Sequence, residues 1–360
     1  MKVGITGLPG SGKTTVFQAL TRCKVNIQPF GSTKPNVGVV NVPDERVDYF
    51  AKQYNPKKIT YAPIEFTDPA SKISVASAGV KFGAEFFSDI KKSDAIVVIV
   101  RGFENEIGET PDPVSDLSSV TEEILLADLT LIDTRKERVE KQLHAAKKGS
   151  VNTAGWELDL LNRLQKCLDE GNKLNSLDYT KDELIVVRNY DFLTFREIIA
   201  VLNVSEDELS QPTEITEKFN SFCEENNIPH IVLCGSIEKE VSELSDEEEK
   251  EFLSDYGIEN PARNVLIQKT YDTLGLISFI TAGEPEVRAW TIRKGDTALD
   301  AAAAIHTDIA KGFIRAEVAN FTEILPVGTW EKAKTEGIVK LQGKEYIMQD
   351  GDVVFIRNKS

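Results

Sequence analysis

The sequence predicts an α/β protein with a mostly parallel sheet, an inserted helical hairpin and a small C-terminal domain that mixes strands with one helix. Three observations lead to this fold class. Short runs rich in Val and Ile recur between polar or helical stretches, a long helical segment interrupts them, and the pattern changes to short strands after Gly283. Such runs are typical of strands buried on both faces of a parallel sheet.

Five apolar runs are predicted to form the core strands. They are Val3 to Thr6, Ile64 to Thr67, Ala95 to Val100, Ile198 to Leu202 and Ile231 to Cys234. A sixth run, from Val37 to Val42, follows the first helix closely, and we expect it to form an edge strand. Together the runs assign residues 1–115 and 190–275 to one domain.

Residues 116–189 form an insertion that a compact α/β domain does not need. Apolar residues recur there at helical spacing in two stretches, which predicts two antiparallel helices, a coiled-coil hairpin, joined near Lys148 to Gly155. The first helix is locally basic between positions 135 and 148, through Arg135, Lys136, Arg138, Lys141, Lys147 and Lys148. This face is either an ordinary solvated surface or a contact for RNA or an acidic partner.

Residues 277–360 are predicted to form a separate C-terminal domain. One Ala-rich helix is expected over Ala298 to Ile305. Strands are expected at Ala289 to Ile292, Gly312 to Val318, Lys344 to Met348 and Val353 to Ile356.

The composition excludes several classes of protein. With 58 acidic and 42 basic residues the formal charge is −16, which argues against binding DNA or RNA through bulk charge. No apolar run approaches the roughly 20 residues that span a bilayer, and Met1 leads directly into a strand. We therefore expect a cytoplasmic protein with neither a membrane nor a DNA partner. The four cysteines are scattered, without the spacing of a zinc site.

A glycine-rich loop between the first strand and the first helix carries the strongest chemical signal. Gly7 to Thr14 fits the pattern G-x-x-x-x-G-K-[ST], in which backbone N–H groups surround phosphate oxygens. Lys13 is expected to reach the β and γ phosphates, and Thr14 to offer its hydroxyl to Mg²⁺. The predicted phosphate-binding residues are Leu8, Pro9, Gly10, Ser11, Gly12, Lys13, Thr14 and Thr15.

Asp68 ends the strand predicted over Ile64 to Thr67, where P-loop proteins place a carboxylate that holds Mg²⁺. In a GTPase switch this Asp begins D-x-x-G, whose glycine N–H meets the γ-phosphate. Here Ser71 occupies the glycine position, and its side chain restricts the backbone.

Two further loops are predicted to face the base. Asn203-Val204-Ser205-Glu206 follows a core strand where a GTPase carries N-K-x-D, but it has no lysine to stack on guanine and ends in Glu. Guanine selectivity is therefore not expected. Cys234-Gly235-Ser236 follows the last core strand, and Gly235 and Ser236 are expected beside the base.

Longer runs show a resemblance to the YchF subfamily of Obg-related P-loop proteins, the Obg-like ATPases, over essentially the whole chain. They are Gly7 to Thr15, Pro29-Phe30, Pro35 to Val40, Arg101 to Asn105, Asn203 to Glu206, Phe279 to Glu284, Val287 to Ile292, Ile305 to Asp308 and Lys311 to Ile314. The C-terminal group is long and specific, so the match does not depend on the P-loop alone.

The resemblance implies a P-loop domain, an inserted helical hairpin and a C-terminal TGS domain with a ubiquitin-like β-grasp. It also implies ATP rather than GTP, association with ribosomes, and base contacts by Asn203, Val204 and Glu206. The family's switch I threonine falls on Ser32, with Thr33 adjacent, so the register of this Mg²⁺ ligand stays open.

Three positions depart from the family pattern. Ser71 replaces a glycine, Lys72 replaces an apolar residue, and Thr110 falls where the family has a histidine. The catalytic group is not identified. We expect a conformational switch that hydrolyses ATP slowly. Replacing Ser71 by Gly and Lys72 by Leu together should raise its rate of ATP hydrolysis. The alternatives are a nucleotide-binding interaction module with little hydrolysis, or a variant that prefers GTP.

Overall fold

The computed structural model describes residues 1–28, 32, 34–69, 73–76, 79–82, 84–105, 107–145, 153–211, 213–255 and 260–359. The chain forms two compact units. The first contains Met1–Gly38 and Glu65–Ile258, and the second contains Val39–Ile64 and Glu259–Ser360. No sequence feature predicted that residues 39–64 would join the C-terminal unit.

The described residues contain the following strands and α-helices. The strands are β1 (Lys2–Thr6), β2 (Asn36–Asn41), β3 (Ile59–Thr60), β4 (Pro63–Asp68), β5 (Ile73–Ala76), β6 (Gly79–Phe82), β7 (Ala95–Arg101), β8 (Glu197–Asn203), β9 (His230–Leu233), β10 (Leu276–Ala282), β11 (Val287–Arg293), β12 (Phe313–Asn320), β13 (Lys340–Gln342) and β14 (Asp352–Asn358). The helices are α1 (Lys13–Leu20), α2 (Glu45–Tyr54), α3 (Ala84–Ile90), α4 (Pro113–Ala145), α5 (Thr153–Asp169), α6 (Lys181–Tyr190), α7 (Glu206–Ser210), α8 (Glu214–Glu225), α9 (Gly235–Glu243), α10 (Asp246–Asp255), α11 (Ala262–Thr273), α12 (Ala298–Ile305), α13 (Thr307–Lys311), α14 (Phe321–Ile324) and α15 (Trp330–Thr335).

A six-stranded sheet in the order β2-β4-β1-β7-β8-β9 contains all six strands predicted for the nucleotide domain. The pairs β1/β4, β1/β7, β7/β8 and β8/β9 are parallel, and β2 lies at the edge as expected. Residues 95–100 of β7 are almost completely buried, which explains their uninterrupted apolar sequence. Because parallel strands end at the same edge, the loops after β1, β4, β8 and β9 lie close together.

The described residues of the insertion contain three α-helices rather than the two predicted. Helix α4 packs against α5, and they bury Ile132, Val139, Leu160 and Leu164 in their own core. Helix α6 was missed, although Thr180 and Glu183 form the capping box that marks its start. The predicted connection near Lys148 to Gly155 lies largely outside the described residues.

A buried carboxylate joins the insertion to the sheet within the first unit. Asp128 of α4 is 1% exposed and accepts hydrogen bonds from the backbone N–H groups of Leu193 (3.2 Å) and Thr194 (2.7 Å). Burial raises the pKa of Asp128, and the bonds from residues 193 and 194 oppose that shift. These bonds fix α4 against the segment that leads into β8.

The second unit has a sheet in the order β13-β12-β14-β10-β11-β3. Its central pair, β10/β14, is parallel, while β10/β11, β12/β14 and β12/β13 are antiparallel. Helix α12, predicted over the correct residues, packs on one face through Ala298, Ala301 and Ala302. This strand order around a parallel central pair confirms the expected β-grasp.

The prediction of a strand over Lys344 to Met348 was wrong. Residues 340–342 form β13 instead, and the later segment makes a single bridge between Thr297 and Ile347. Met348 is 1% exposed and the Tyr346 hydroxyl donates to Asp352 at 3.0 Å, so the apolar side chains anchor an irregular segment.

Residues 39–64 contribute α2 and β3 to the second unit. Asp44 caps α2 by accepting from the N–H of Arg46, and Val47 and Phe50 are fully buried. Strand β3 pairs in parallel with β11 at the sheet edge.

In the part of the chain that the structure describes, no helix is long and apolar enough to span a membrane.

Candidate functional site

The loop between β1 and α1 adopts a backbone that its glycines make possible. Gly10 and Gly12 have φ values of 78° and 88°, in the left-handed region that side chains rarely adopt. A Cβ at Gly12 would lie 2.2 Å from Nδ2 of Asn203, so the close approach also excludes any larger residue. The hydroxyl of Ser11 is buried without a hydrogen-bond partner among the described residues. The loop therefore has the shape of a phosphate cradle.

Lys13 extends across this loop from the first turn of α1. Its ammonium donates to the carbonyl oxygen of Leu8 at 2.8 Å. Burial lowers the pKa of Lys13 to about 8, and the nearby carboxylate of Asp68 opposes the shift. A phosphate would restore the charge balance around this amine, because anions favour its protonated form.

Asp68 lies at the end of β4 and is 5% exposed. Its Oδ2 accepts from the hydroxyl of Thr14 at 3.3 Å and from the amide of Asn36 at 3.1 Å. Burial raises the pKa of Asp68, while the bonds from Asn36 and Thr14 and the charge of Lys13 oppose that rise. The structure thus brings together two of the three predicted metal ligands, Thr14 and Asp68.

Asn36, the first residue of β2, was not among the predicted site residues. Its Oδ1 accepts from the N–H of Gln28 at 2.8 Å, while its Nδ2 donates to Asp68. The Asn36 side chain therefore connects Gln28 to the carboxylate of Asp68. An asparagine after a proline matches no motif for a metal site. The only sequence signal for Asn36 was its position in the run Pro35 to Val40, which carries part of the family resemblance.

Asn203 connects the phosphate loop with the loop after β9. Its Nδ2 donates to the carbonyl of Ser11 at 2.9 Å, and its Oδ1 accepts from the N–H of Gly235 at 2.8 Å. The side chain is 4% exposed. Val204 is also buried, whereas Glu206 is exposed at the first position of α7. Asn203 therefore positions the two loops through its side chain, and Glu206 is free to face a ligand.

Several predicted residues are not brought into these contacts. Ser32 is half-buried, and its hydroxyl accepts from the N–H of Lys34 at 3.1 Å. Thr110 is exposed in the loop before α4. Thr33, Ser71 and Lys72 lie outside the described residues.

The basic face predicted on α4 is reduced by contacts within the insertion. The guanidinium of Arg135 lies 4.9 Å from the centre of the Tyr190 ring, and Lys136 donates to Gln165 at 2.7 Å. Lys141 pairs with Glu137 at 3.8 Å, and Arg138 is exposed. Lys147 and Lys148 lie outside the described residues, so a partner at residues 135–148 stays a prediction.

A strand, a glycine-rich turn and a helix whose Lys and Thr approach a buried carboxylate define the class of nucleotide-binding P-loop proteins. Two protein families match the chain. Residues 2–148 match a family described as "50S ribosome-binding GTPase", and residues 276–359 match YchF-GTPase_C, described as "Protein of unknown function (DUF933)".

Whole-length relatives agree with these matches. The chain is 38% identical to the protein of Bacillus subtilis (strain 168) named "Ribosome-binding ATPase YchF", over 99% of both chains. It is 35% identical to the protein of the same name from Escherichia coli O157:H7, over 98% of both. The YchF GTPase of Schizosaccharomyces pombe superposes with a TM-score of 0.84 at 28% identity, over 99% of this chain and 97% of that one. The chain belongs to the YchF family.

Proposed function

We propose that this protein binds ATP with Mg²⁺, hydrolyses it slowly and works as a conformational switch on the ribosome. The observation that carries the proposal is the approach of Thr14 to Asp68 beside the ammonium of Lys13. The two bacterial relatives named above are each called "Ribosome-binding ATPase YchF", which supports both the nucleotide and the partner. A ribosomal partner implies a cytoplasmic location.

The residues at the mouth of the loop fit a Mg²⁺ ion. Hydroxyl and carboxylate oxygens are the ligands this ion prefers, and Thr14 and Asp68 supply one of each. Ser32, whose hydroxyl lies outside these contacts, would supply a third oxygen when the ion is bound, with Thr33 as the alternative. The bound ion would neutralise the charge on the β and γ phosphates.

The chain's own groups account for phosphate binding. Lys13 provides a fixed positive charge, and the N–H groups at the start of α1 lie at the positive end of the helix. Release of the carbonyl of Leu8 would free the Lys13 ammonium for a phosphate oxygen. Loss of the γ-phosphate would remove the contact that orders the segments near Ser32 and after Asp68.

ATP fits the base loops better than GTP. No lysine is present to stack on a base, and Glu206 stands where a GTPase has the Asp that reads guanine. The exposed Glu206 carboxylate can accept from the amino group of adenine, but it could also accept from the N1–H and amino group of guanine. The preference for ATP therefore rests on the absence of the N-K-x-D lysine and aspartate. A GTP-preferring variant remains the alternative for this site.

A second candidate function is a nucleotide-binding interaction module with little hydrolysis. Thr110, exposed where the family pattern has a histidine, favours this candidate, as do Ser71 and Lys72 in the sequence. The two candidates share the nucleotide site and differ only in whether phosphate is released.

Replacing Lys13 tests the nucleotide site. Lys13→Ala removes the ammonium that extends across the loop, and we expect ATP affinity to fall about 30-fold or more, equivalent to about 2 kcal/mol. Titration with a fluorescent ATP analogue measures the change. Lys24→Ala, an exposed lysine beyond the other end of α1, is the matched control. Equal affinity in both variants would refute the site.

A further inference from the structure

A polar cavity of about 420 Å³ lies within the second unit. Its walls come from the segment that leads into α2, the end of α11, the first residues of β10, the turn after β11 and the loop before β14. All of the lining residues belong to the second unit, whereas the phosphate loop belongs to the first. The cavity is therefore not part of the proposed nucleotide site.

An ionic cluster forms one part of the cavity wall. The guanidinium of Arg46 donates to the two carboxylate oxygens of Asp44 at 2.7 and 2.8 Å, and to Asp350 at 2.7 Å. Asp44 is 9% exposed, but the side chain of Asp350 is 56% exposed, and its oxygens can accept further hydrogen bonds. Because two carboxylates share one guanidinium, the cluster keeps one uncompensated negative charge.

Two opposite charges on another part of the wall are not paired with each other. Lys294 follows β11 and Asp272 belongs to α11, and both are exposed. Asp272 accepts a hydrogen bond from the side-chain amide of Gln268 at 2.9 Å. Within the described residues neither charge takes part in an ion pair, although both border the same cavity. A ligand that carries both an anionic and a cationic group would satisfy the two side chains.

The remaining wall suits a flexible chain of methylene groups. The ring of Tyr271 is fixed there, because its hydroxyl lies 2.8 Å from that of Ser278 and 2.9 Å from that of Thr291. Met348 and Val42, which are 1% and 4% exposed, add apolar surface. Methylene groups that cover such a surface are removed from water, which favours binding.

We propose that this cavity binds a free basic amino acid, arginine or lysine. The α-carboxylate pairs with Lys294, the α-ammonium pairs with Asp272, and the side-chain cation contacts Asp350. Such a ligand carries one net positive charge, and the cavity, with three acids against two cations, carries one net negative charge.

Other small ligands match these groups less well. A neutral amino acid would leave the negative charge of the ionic cluster uncompensated. A bare metal ion would be repelled by the guanidinium of Arg46, which lies between the two carboxylates of that cluster.

Isothermal titration calorimetry of the full-length chain with L-arginine, L-lysine, L-leucine and agmatine tests the proposal. Agmatine is arginine without its carboxylate, so it lacks the group that pairs with Lys294. We expect arginine or lysine to bind about tenfold or more tightly than leucine and agmatine. Thermal unfolding is a second readout, because a ligand that binds only the folded chain raises the unfolding temperature.

A double variant tests the residues. Lys294→Met with Asp272→Asn removes the two unpaired charges and leaves the ion pair between Arg46 and Asp350 in place. We expect arginine and lysine to bind about tenfold more weakly or worse. Both altered side chains are exposed, and thermal unfolding without ligand verifies that the variant is folded. The matched control is Lys344→Met with Glu345→Gln, an exposed lysine and an exposed acid outside the cavity wall.

Tighter binding of the basic amino acids that is lost in the Lys294 and Asp272 variant alone supports the inference. No binding of either basic amino acid, equally tight binding of leucine or agmatine, unchanged binding by that variant, or equal loss in both variants overturns it. ATP binding is measured in parallel and is expected to be the same in both variants. Failure of the amino acid site would therefore leave the proposed nucleotide site in place.

Discussion

The residues around the carboxylate of Asp68 show which site residues can be predicted from the sequence and which cannot. Lys13, Thr14 and Asp68 follow from a motif and a strand end, since their chemistry fixes both residue type and position. Asn36 could not be found in this way, because its role depends on contacts with Gln28 and Asp68 that only the folded chain creates.

Removal of the Asn36 side chain is expected to weaken the response to Mg²⁺. Asn36→Ala deletes the 3.1 Å hydrogen bond that orients Asp68, and partners behind a metal ligand commonly change metal affinity about tenfold. ATP binding titrated over a range of Mg²⁺ concentrations should therefore need about tenfold more Mg²⁺. Binding without Mg²⁺ should not change.

Asn41→Ala is the control for this measurement, because Asn41 is an exposed residue at the far end of the same strand. Identical Mg²⁺ dependence in the Asn36 and Asn41 variants would show that the hydrogen bond to Asp68 has no part in the metal site.

Among the elements of the first unit, the loops after β8 and β9 are expected to decide which base is bound. Their placement follows from the parallel sheet, and Asn203 holds the second of them beside the phosphate loop. The sequence could predict that these loops meet, because parallel strands end at one edge. It could not predict that the Asn203 amide is occupied by backbone groups on both sides.

ATP is expected to bind at least as tightly as GTP. The loop that begins at Asn203 lacks the Lys and Asp that recognise guanine, and Glu206 is free to accept a hydrogen bond. Competition calorimetry with the two nucleotides measures the preference. A tenfold preference for GTP, about 1.4 kcal/mol, would contradict this account of the base loops.

Strand β12 carries the buried carboxylate of Glu317, which accepts hydrogen bonds from Lys334 and Arg357. Burial raises the pKa of Glu317, but hydrogen bonds from Lys334 and Arg357 outweigh it and hold the pKa below the usual range. A lowered pKa means that the contact stabilises the fold above the ordinary pKa of Glu, about 4.3, and that this stability is lost as the pH falls through the lowered value.

Glu317→Gln should therefore lower the free energy of unfolding of the second unit at pH 7, by about 2 kcal/mol. The difference should shrink as the pH falls below about 4. Urea unfolding followed by the fluorescence of Trp290 and Trp330, in a Trp156→Phe background, reports on this unit. Glu336→Gln, an exposed acid at the end of α15, is the control. A pH-independent loss would mean that packing, rather than charge, accounts for the effect.

Regular elements were predicted where one periodicity dominates the sequence. Helix α12 has a clear cap and an alanine-rich face, and it was found in full. The segment from Lys344 to Met348 has the apolar residues of a strand. The hydrogen bond from Tyr346 to the carboxylate of Asp352 and the buried side chain of Met348 hold it in an irregular conformation instead. Helix α6 lacks an alanine-rich face in its sequence, and its capping box of Thr180 and Glu183 was a signal that could have revealed it.

The course of the chain between the two units was the hardest feature to predict. Residues 39–64 leave the first unit and supply α2 and β3 to the second. Local patterns show that these residues form a strand and a helix, but they do not show which core the helix joins. Phe50 of α2 packs against Phe321, more than 250 positions later, with ring centres 5.8 Å apart.

Single-turnover ATP hydrolysis with and without ribosomes tests whether the proposed nucleotide site drives a slow switch on the ribosome. We expect slow phosphate release that disappears in Lys13→Ala and becomes faster when ribosomes are added. Phosphate release that stays at the level of Lys13→Ala, even with ribosomes present, would contradict such a switch and leave a nucleotide-binding interaction module.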